Sequence, residues 1–283
     1  MPIAIVTDST CGLTRGEARD LGVTVLPMAY QACGERHQEM PQGENGGYDA
    51  LLREDGFAST EGILSRAFRA AFRQLIEAGQ DVLCVTMSGR LASACRVAQE
   101  ARLTLDDHHP DLGALPRVRV VDSLSTVAGL EVVVREARRL ADEGLSLEEV
   151  ARGCEDFRSR VLVRFAVSTM QQLARSGRLG ATRRSVQAMA GTYPVFELRQ
   201  GAIETVGLAR GQRGTARKLV AQVPRDATQV TLDKFGEADS LARLVVLELH
   251  RQAPQAKVLV KDGGPVIATR IGVGSVSLTC VRG

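Results

Sequence analysis

Three short apolar runs, each leading to small polar residues, constrain this chain most. Ile3–Thr7 (IAIVT) runs into Asp8-Ser9-Thr10, Val82–Thr86 (VLCVT) into Ser88-Gly89-Arg90, and Arg117–Val121 into Asp122-Ser123. Uninterrupted runs of this length, rich in β-branched residues, predict strands buried on both faces, the habit of parallel sheets. Helical patterns lie between and after them: Thr14–Leu21, Ile63–Ala78, a segment opening at Ala92-Ser93-Ala94, and Thr126–Glu143. Gly22, Gly79 and Gly144 supply stops. Strand and helix alternating at short spacing predict a parallel sheet covered by helices. Ligands of such sheets bind at the carboxyl ends of the strands, so the polar tips mark the candidate site.

Each tip has two readings. The turn between strand Val82–Thr86 and the helix after it leaves backbone N–H groups that attract phosphate or carboxylate; equally, it is an ordinary loop capped by Ser88. Asp8 suits a carboxylate that orders neighbouring loops by accepting N–H bonds, with catalysis as the alternative. Ser59 and Thr60 predict an N-cap for the helix starting near Ile63, and a cap hydroxyl can also face a ligand. Ser146, with Glu148 and Glu149 behind it, predicts a capped helix start. Neither a P-loop nor G-x-G-x-x-G occurs, which disfavours the common modes of nucleotide binding.

Val23–Ala29 reads as a further strand and Gly34–Gly47 as a polar rim loop. Beyond residue 160 the texture changes. Val161–Val167 is a strand pattern, followed by two short helices, Ser168–Ser176 and Ala181–Ala190. Tyr193–Leu198 and Ala202–Leu208 flank Arg199-Gln200-Gly201 as a hairpin. Helices Thr215–Gln222 and Asp239–Arg251 alternate with strands Val230–Leu232 and Lys257–Val260; Gly263-Gly264-Pro265 then turns the chain into strands Val266–Arg270 and Ser275–Cys280. The pattern predicts two domains, an α/β domain over 1–158 and a mixed α+β domain over 159–283.

Composition excludes several classes. At 283 residues and 44% hydrophobic, the chain can bury a substantial core. Its 36 Lys and Arg against 33 Asp and Glu leave a slight excess, and no basic run is interleaved with aromatics, so no nucleic-acid partner is expected. The six cysteines form no C-x-x-C pair and several sit in apolar runs, which predicts small buried hydrophobes in a reducing cytosol. The four histidines lack ligand spacing, and His108-His109 before Pro110 reads as a solvated loop; no metal or cofactor is expected. Met1-Pro2 leads straight into a strand, so no signal peptide is expected, and Arg, Glu or Gly interrupts every apolar stretch before it could span a membrane.

Several stretches together resemble the DegV family over nearly the whole length. They are Ile3–Thr10 (IAIVTDST), Leu83–Ala98, Val120-Val121-Asp122-Ser123 with the long helix after it, Leu173–Leu179 (LARSGRL) with Pro194-Val195 and the Arg199–Gly201 hairpin, and the Gly264–Gly274 tail. The resemblance implies two domains with a long-chain fatty acid between them. It implies a carboxylate held by rim hydroxyls, an alkyl chain in an apolar tunnel, and a separate kinase that phosphorylates the bound acid, so that the chain is a cytoplasmic carrier and not the enzyme. Leu162, Phe165, Val167, Met170, Leu173, Val186, Met189, Val195 and Phe196 offer candidate aliphatic wall.

By the same resemblance Thr60 takes the place of the family's carboxylate-binding threonine. The second hydroxyl of the family falls on Ala92 in one register and on Ser93 in the other; Ala98-Gln99 supports the first, leaving Ser93 or Ser88 as substitutes. The family's histidine becomes Arg270; these departures imply either a different acyl ligand or a carboxylate bound through charge instead of hydroxyls. Two rivals stand beside the carrier. One is an enzyme using Asp8, Ser88 and Arg270 on a small phosphorylated or carboxylated metabolite at the strand tips, though no nucleophile–base pair is evident. The other is a subunit that only docks a partner.

Overall fold

Four strands, β1 (Ile3–Asp8), β2 (Val23–Leu26), β6 (Asp81–Thr86) and β7 (Val118–Asp122), pair in parallel in the order β2-β1-β6-β7. The computed structural model describes residues 1–108, 117–177 and 192–283. Helices α3 (Ser65–Glu77) and α4 (Ala94–His108) pack on this sheet as one pair, and α5 (Ala128–Asp142) and α6 (Leu147–Arg158) as another. The alternation read from the sequence is this sheet. Helix α1 (Arg15–Asp20) opens on a capping box between Thr14 and Glu17, and α6 on one between Ser146 and Glu149; each satisfies two of the N–H groups a helix start leaves unpaired.

The second sheet holds β8 (Val161–Ala166), β9 (Thr192–Arg199), β10 (Ala202–Arg210), β11 (Gln229–Lys234), β12 (Lys257–Asp262) and β13 (Val276–Val281). Its order is β10-β9-β8-β13-β11-β12, antiparallel except for the β11–β12 pair. Side chains alternate across it. Leu162, Val230, Leu232, Val276 and Leu278 face α8 (Gly211–Val220) and α9 (Asp239–Gln252) in a core of their own. Phe165, Phe196 and Ile203 join the main core with the first sheet.

Helix α5 lies between the sheets, touching β1 and β6 as well as β8, β11 and β13. Its first turns are therefore buried from Ala128 through Glu131. A side chain at Gly129 would lie 2.6 Å from Val163 Cγ2, so glycine is what lets α5 approach β8. The Glu131 carboxylate, facing the second sheet, takes a 2.8 Å bond from Lys261 Nζ of β12.

A small antiparallel sheet, β4-β3-β5, is built from β3 (Ala29–Ala32), β4 (Glu35–Gln38) and β5 (Ser59–Glu61). Here the structure corrects the sequence reading. The run Val23–Ala29 is two strands in two sheets, parted by Pro27, which cannot donate to a ladder. The predicted rim loop contains β4. Ser59 and Thr60 lie in β5 and cap nothing; α3 begins later, with Leu64 at its N-cap and no side-chain cap bond. The predicted strand Val266–Arg270 is helix α10 (Pro265–Ile271), with proline in its first turn and Gly264 at φ 81 before it. A short apolar β-branched run buried on all sides reads alike as strand or helix, and packing decides. Helix α10 is wedged against α2 (Tyr48–Glu54), α7 (Met170–Arg175), β3 and β5. The predicted helix Ala181–Ala190 lies outside the described residues, as do His109 and Pro110.

Candidate functional site

The three polar tips do converge, but on one another. Asp8, fully buried, accepts from Thr10 N (3.2 Å), Thr10 Oγ1 (2.5 Å) and Met87 N (2.7 Å). Asp122 accepts from Gly89 N (3.0 Å) and Leu124 N (2.8 Å). Ser88 N donates to Ser125 O at 2.7 Å, and the Ser88 hydroxyl donates to Gly201 O at 2.8 Å in the β9–β10 turn. The N–H groups of residues 87 to 89 are thus taken by the protein's own oxygens. The turn that could have cradled an anion is filled, and Asp8 holds loops as the first of its two readings has it. Burial pushes the Asp8 carboxyl up, and the hydrogen bonds it accepts oppose that push.

The cavity lies beside this knot, between the two sheets. It is a slot with about 670 Å³ of empty space, its open mouth included. Its wall takes Met28, Met87, Leu91 and Val127 from the first half, and Val163, Phe165, Leu173, Ile203 and Phe235 from the second. Helix α10 adds Val266, Ile267 and Ile271. A polar cleft of about 730 Å³ adjoins it, and Ser176 and Arg270 line both.

Of the predicted site residues, Thr60, Ala92 and Arg270 line the slot. Arg270 lies in the last turn of α10 and its guanidinium donates to the Thr60 hydroxyl of β5. Ala92 brings a methyl group where a hydroxyl was a candidate. Ser93 is exposed at the start of α4, its carbonyl accepting from Val97 N at 2.9 Å, and neither it nor Ser88 is part of the slot lining. Of the candidate wall, Phe165 and Leu173 line the slot; Val167 and Phe196 sit in the main core, with Met170 packed on it, while Leu162 and Val195 point to the opposite face of their sheet. Val186 and Met189 lie outside the described residues.

Sequence reasoning missed the residue that anchors α10. Glu39, read as rim loop, is buried; it accepts from Ser9 Oγ (2.6 Å) and from Val266 N (3.1 Å), while Ser9 Oγ accepts from Met28 N (2.9 Å). Burial pushes its carboxyl up to about 7. A side chain at Gly264 would stand 2.6 Å from Glu39 Oε1, so the glycine makes room for this clasp. Nothing in the polar stretch around Glu39 signals it. Ser277, Thr126 and Val127 were also missed. The alternation of Val276, Leu278 and Cys280 with Ser277 and Thr279 was a signal for the first, since it marks a strand with two unlike buried faces.

The family model described as "uncharacterised protein, DegV family" matches residues 2–282. The chain belongs to the DegV family. A DegV domain-containing protein of Deinococcus radiodurans is 29% identical over 235 residues, covering 81% of this chain and 79% of the relative. Among solved structures, a fatty-acid-binding DegV family protein from Thermus thermophilus superposes with a TM-score of 0.85 at 28% identity, covering all of both chains. The Fatty Acid Kinase B3 protein of Streptococcus pneumoniae, loaded with linoleic acid, has a TM-score of 0.81 at 17% identity, covering all of both chains, and shares the fold.

Proposed function

We propose that this DegV protein holds a long-chain fatty acid in the slot between its halves, 1–158 and 159–283, and presents the carboxylate to a separate fatty acid kinase. One observation carries the reading: an apolar slot meets a polar cleft at a guanidinium–hydroxyl pair, Arg270 and Thr60. Alkyl chain and head group have matching surroundings there. Burying some fifteen methylenes contributes roughly 12 kcal/mol gross, before ordering costs reduce it. A planar, permanently charged guanidinium suits a carboxylate, and takes the role that Ala92 cannot fill. The Thermus relative, described as fatty-acid-binding, and the Streptococcus Fatty Acid Kinase B3 protein, loaded with linoleic acid, support this cargo and partner.

In this reading the chain binds and the kinase reacts. The thiols nearest the strand tips are poor nucleophiles: burial pushes Cys84 well above its ordinary range, and Cys95 up as well. Asp8 and Ser88, two members of the rival catalytic set, are spent on holding loops and lie apart from the slot lining. We place the carrier in the cytoplasm, where its six cysteines, all free thiols, would stay reduced.

Mass spectrometry of lipid extracts from gently purified protein tests the cargo: a stoichiometric fatty acid is expected. Extracts without acyl species, together with no binding of added fatty acid, would sink the proposal. Arg270→Ala should weaken fatty-acid affinity by about 1.5–3 kcal/mol, the worth of one charge-assisted bond. Ala92→Ser in that background should restore part of it. Wild-type affinity in Arg270→Ala would place the head group elsewhere.

A further inference from the structure

Among the described residues, five polar ones line the slot: Thr60, Arg270, Ser176, Thr126 and Ser277. Three are accounted for. Thr60 and Arg270 bond to each other, and Ser176 Oγ donates to Leu173 O at 2.7 Å. The other two are not. Thr126, 6% exposed, and Ser277, 2% exposed, each keep a buried hydroxyl oxygen with no hydrogen-bond partner among the described residues. A buried hydroxyl without a partner is costly, and valine or alanine at either place would avoid the cost.

Both positions are fixed by the fold. Ser277 sits on central strand β13, facing Phe165 of β8 and Asp233 of β11 in the ladder. Phe165 lines the slot beside it, and Asp233 Oδ2 is another buried oxygen without a partner. Thr126 opens α5, its carbonyl accepting from Gly129 N (3.0 Å) and Leu130 N (3.3 Å). The next residue, Val127, also lines the slot and is held at φ 48, a strained place for a β-branched residue.

We propose that Ser277 and Thr126 form a second, polar binding point in the slot, which takes an oxygen on the acyl chain, so that the preferred cargo is a hydroxylated fatty acid. This rests on the acyl-chain reading above and narrows it. A water is a weakly held occupant: with Thr60, Arg270 and Ser176 bonded elsewhere and Val127 and Phe165 apolar, the two hydroxyls give it only the minimum of the two to four polar partners it needs. A hydroxyl on a buried chain is already positioned by that chain, so the ordering cost of filling the point falls. Serine and threonine hydroxyls both donate and accept, which matches an alcohol better than a ketone, an acceptor only. An unsubstituted chain sets methylenes against both hydroxyls. Sites built to hydrogen-bond a group discriminate strongly against the analogue that lacks it.

The test uses the full chain, stripped of lipid, with stearic acid and a set of monohydroxystearic acids substituted at different carbons. At least one hydroxylated acid should bind about tenfold tighter than stearic acid. Ser277→Ala and Thr126→Val should each reduce that preference to about threefold or less, read as the ratio of the two affinities in the same variant. Thr126→Ser, which keeps the hydroxyl, should keep the preference, separating hydrogen bonding from shape. If stearic acid binds and no hydroxylated acid binds better, the polar point is refuted while the carrier reading stands. A preference that survives both substitutions also refutes it. If neither plain nor hydroxylated acids bind, the carrier reading itself fails and takes this inference with it.

Discussion

The two faces of the six-stranded sheet treat buried polar atoms in opposite ways, though adjacent residues of the same strands build both. Toward α8 and α9, Arg164 and Glu197 form an ion pair at 2.8 Å with side chains only 2% and 6% exposed. Arg164 also donates to Lys218 O (2.9 Å), and Glu197 also accepts from Arg199 Nε (2.9 Å). Toward α5 and the slot, Ser277, Thr279, Thr205 and Asp233 each retain a buried oxygen with no partner among the described residues. The outer face matches a costly charge with an opposite one, as a face built only for folding must. The inner face tolerates unmatched oxygens, and one of them, that of Ser277, lines the cavity, where a ligand can meet it. Unmet hydrogen-bonding capacity is a better guide to where this sheet works than the count of its polar residues.

The comparison is broken most forcefully on the outer face. Glu197→Ala strands a buried guanidinium and should cost about 3–5 kcal/mol, read from the denaturant midpoint. Replacing both partners with apolar residues of similar volume should recover most of that loss. A Glu197→Ala cost no greater than that of an inner-face hydroxyl would erase the distinction between the faces.

A smaller effect comes from Asp233 and is read as pH dependence. Burial pushes its carboxyl from an ordinary 3.8 up to about 8; Glu131 adds to the rise, Lys261 and the Ala128 N–H oppose it, and Asp262 raises it slightly. The folded state therefore keeps a proton that the unfolded chain releases. This contribution to stability is complete below about pH 3.8 and is lost as pH rises through about 8. Melting temperatures of the wild type should fall across that window, and those of Asp233→Asn should fall less. Glu39, pushed up to about 7 by burial, slopes the same way in both proteins, so the difference between them isolates Asp233. Parallel curves would mean that Asp233 is already ionised when folded.

The smallest change sharpens the comparison. Thr279→Val removes one unmatched oxygen from the inner face while keeping its shape. It should leave stability unchanged or raise it by up to about 1 kcal/mol. A loss of that size would show that the hydroxyl has a partner, such as an internal water.

Much of this architecture was legible in the sequence because local signals agreed with the final packing. The parallel strands, the Ser146 cap, the long helix after Asp122 and the hairpin at Gln200-Gly201 each carried a periodicity or a turn chemistry that tertiary contacts preserved. The misreadings fall where contacts distant in the chain overrode local preference. Thr60 looked like a helix cap because no local pattern reveals that β3 pairs with residues 59–61. Val266–Arg270 looked like a strand because this apolar run serves a helix packed on all sides. Thr60 and Arg270 were both singled out through the family resemblance, but their direct bond was not foreseen: 210 positions separate them, and only the fold brings them together. Glu39 was invisible for the same reason, since its partners are Ser9 and Val266.

The main core runs without a break from α3 through the first sheet and α5 into Phe165, Phe235 and α10, and the slot opens inside it. Occupancy and folding are therefore one linked equilibrium. A cargo that binds only the closed, folded chain adds about 2.7 kcal/mol when free ligand stands at about a hundred times its dissociation constant, and that gain is shared by both halves. Heating should melt the two halves in a single transition whose midpoint climbs with ligand concentration. On the proposed function, the melting temperature of a fresh preparation doubles as a gauge of slot occupancy.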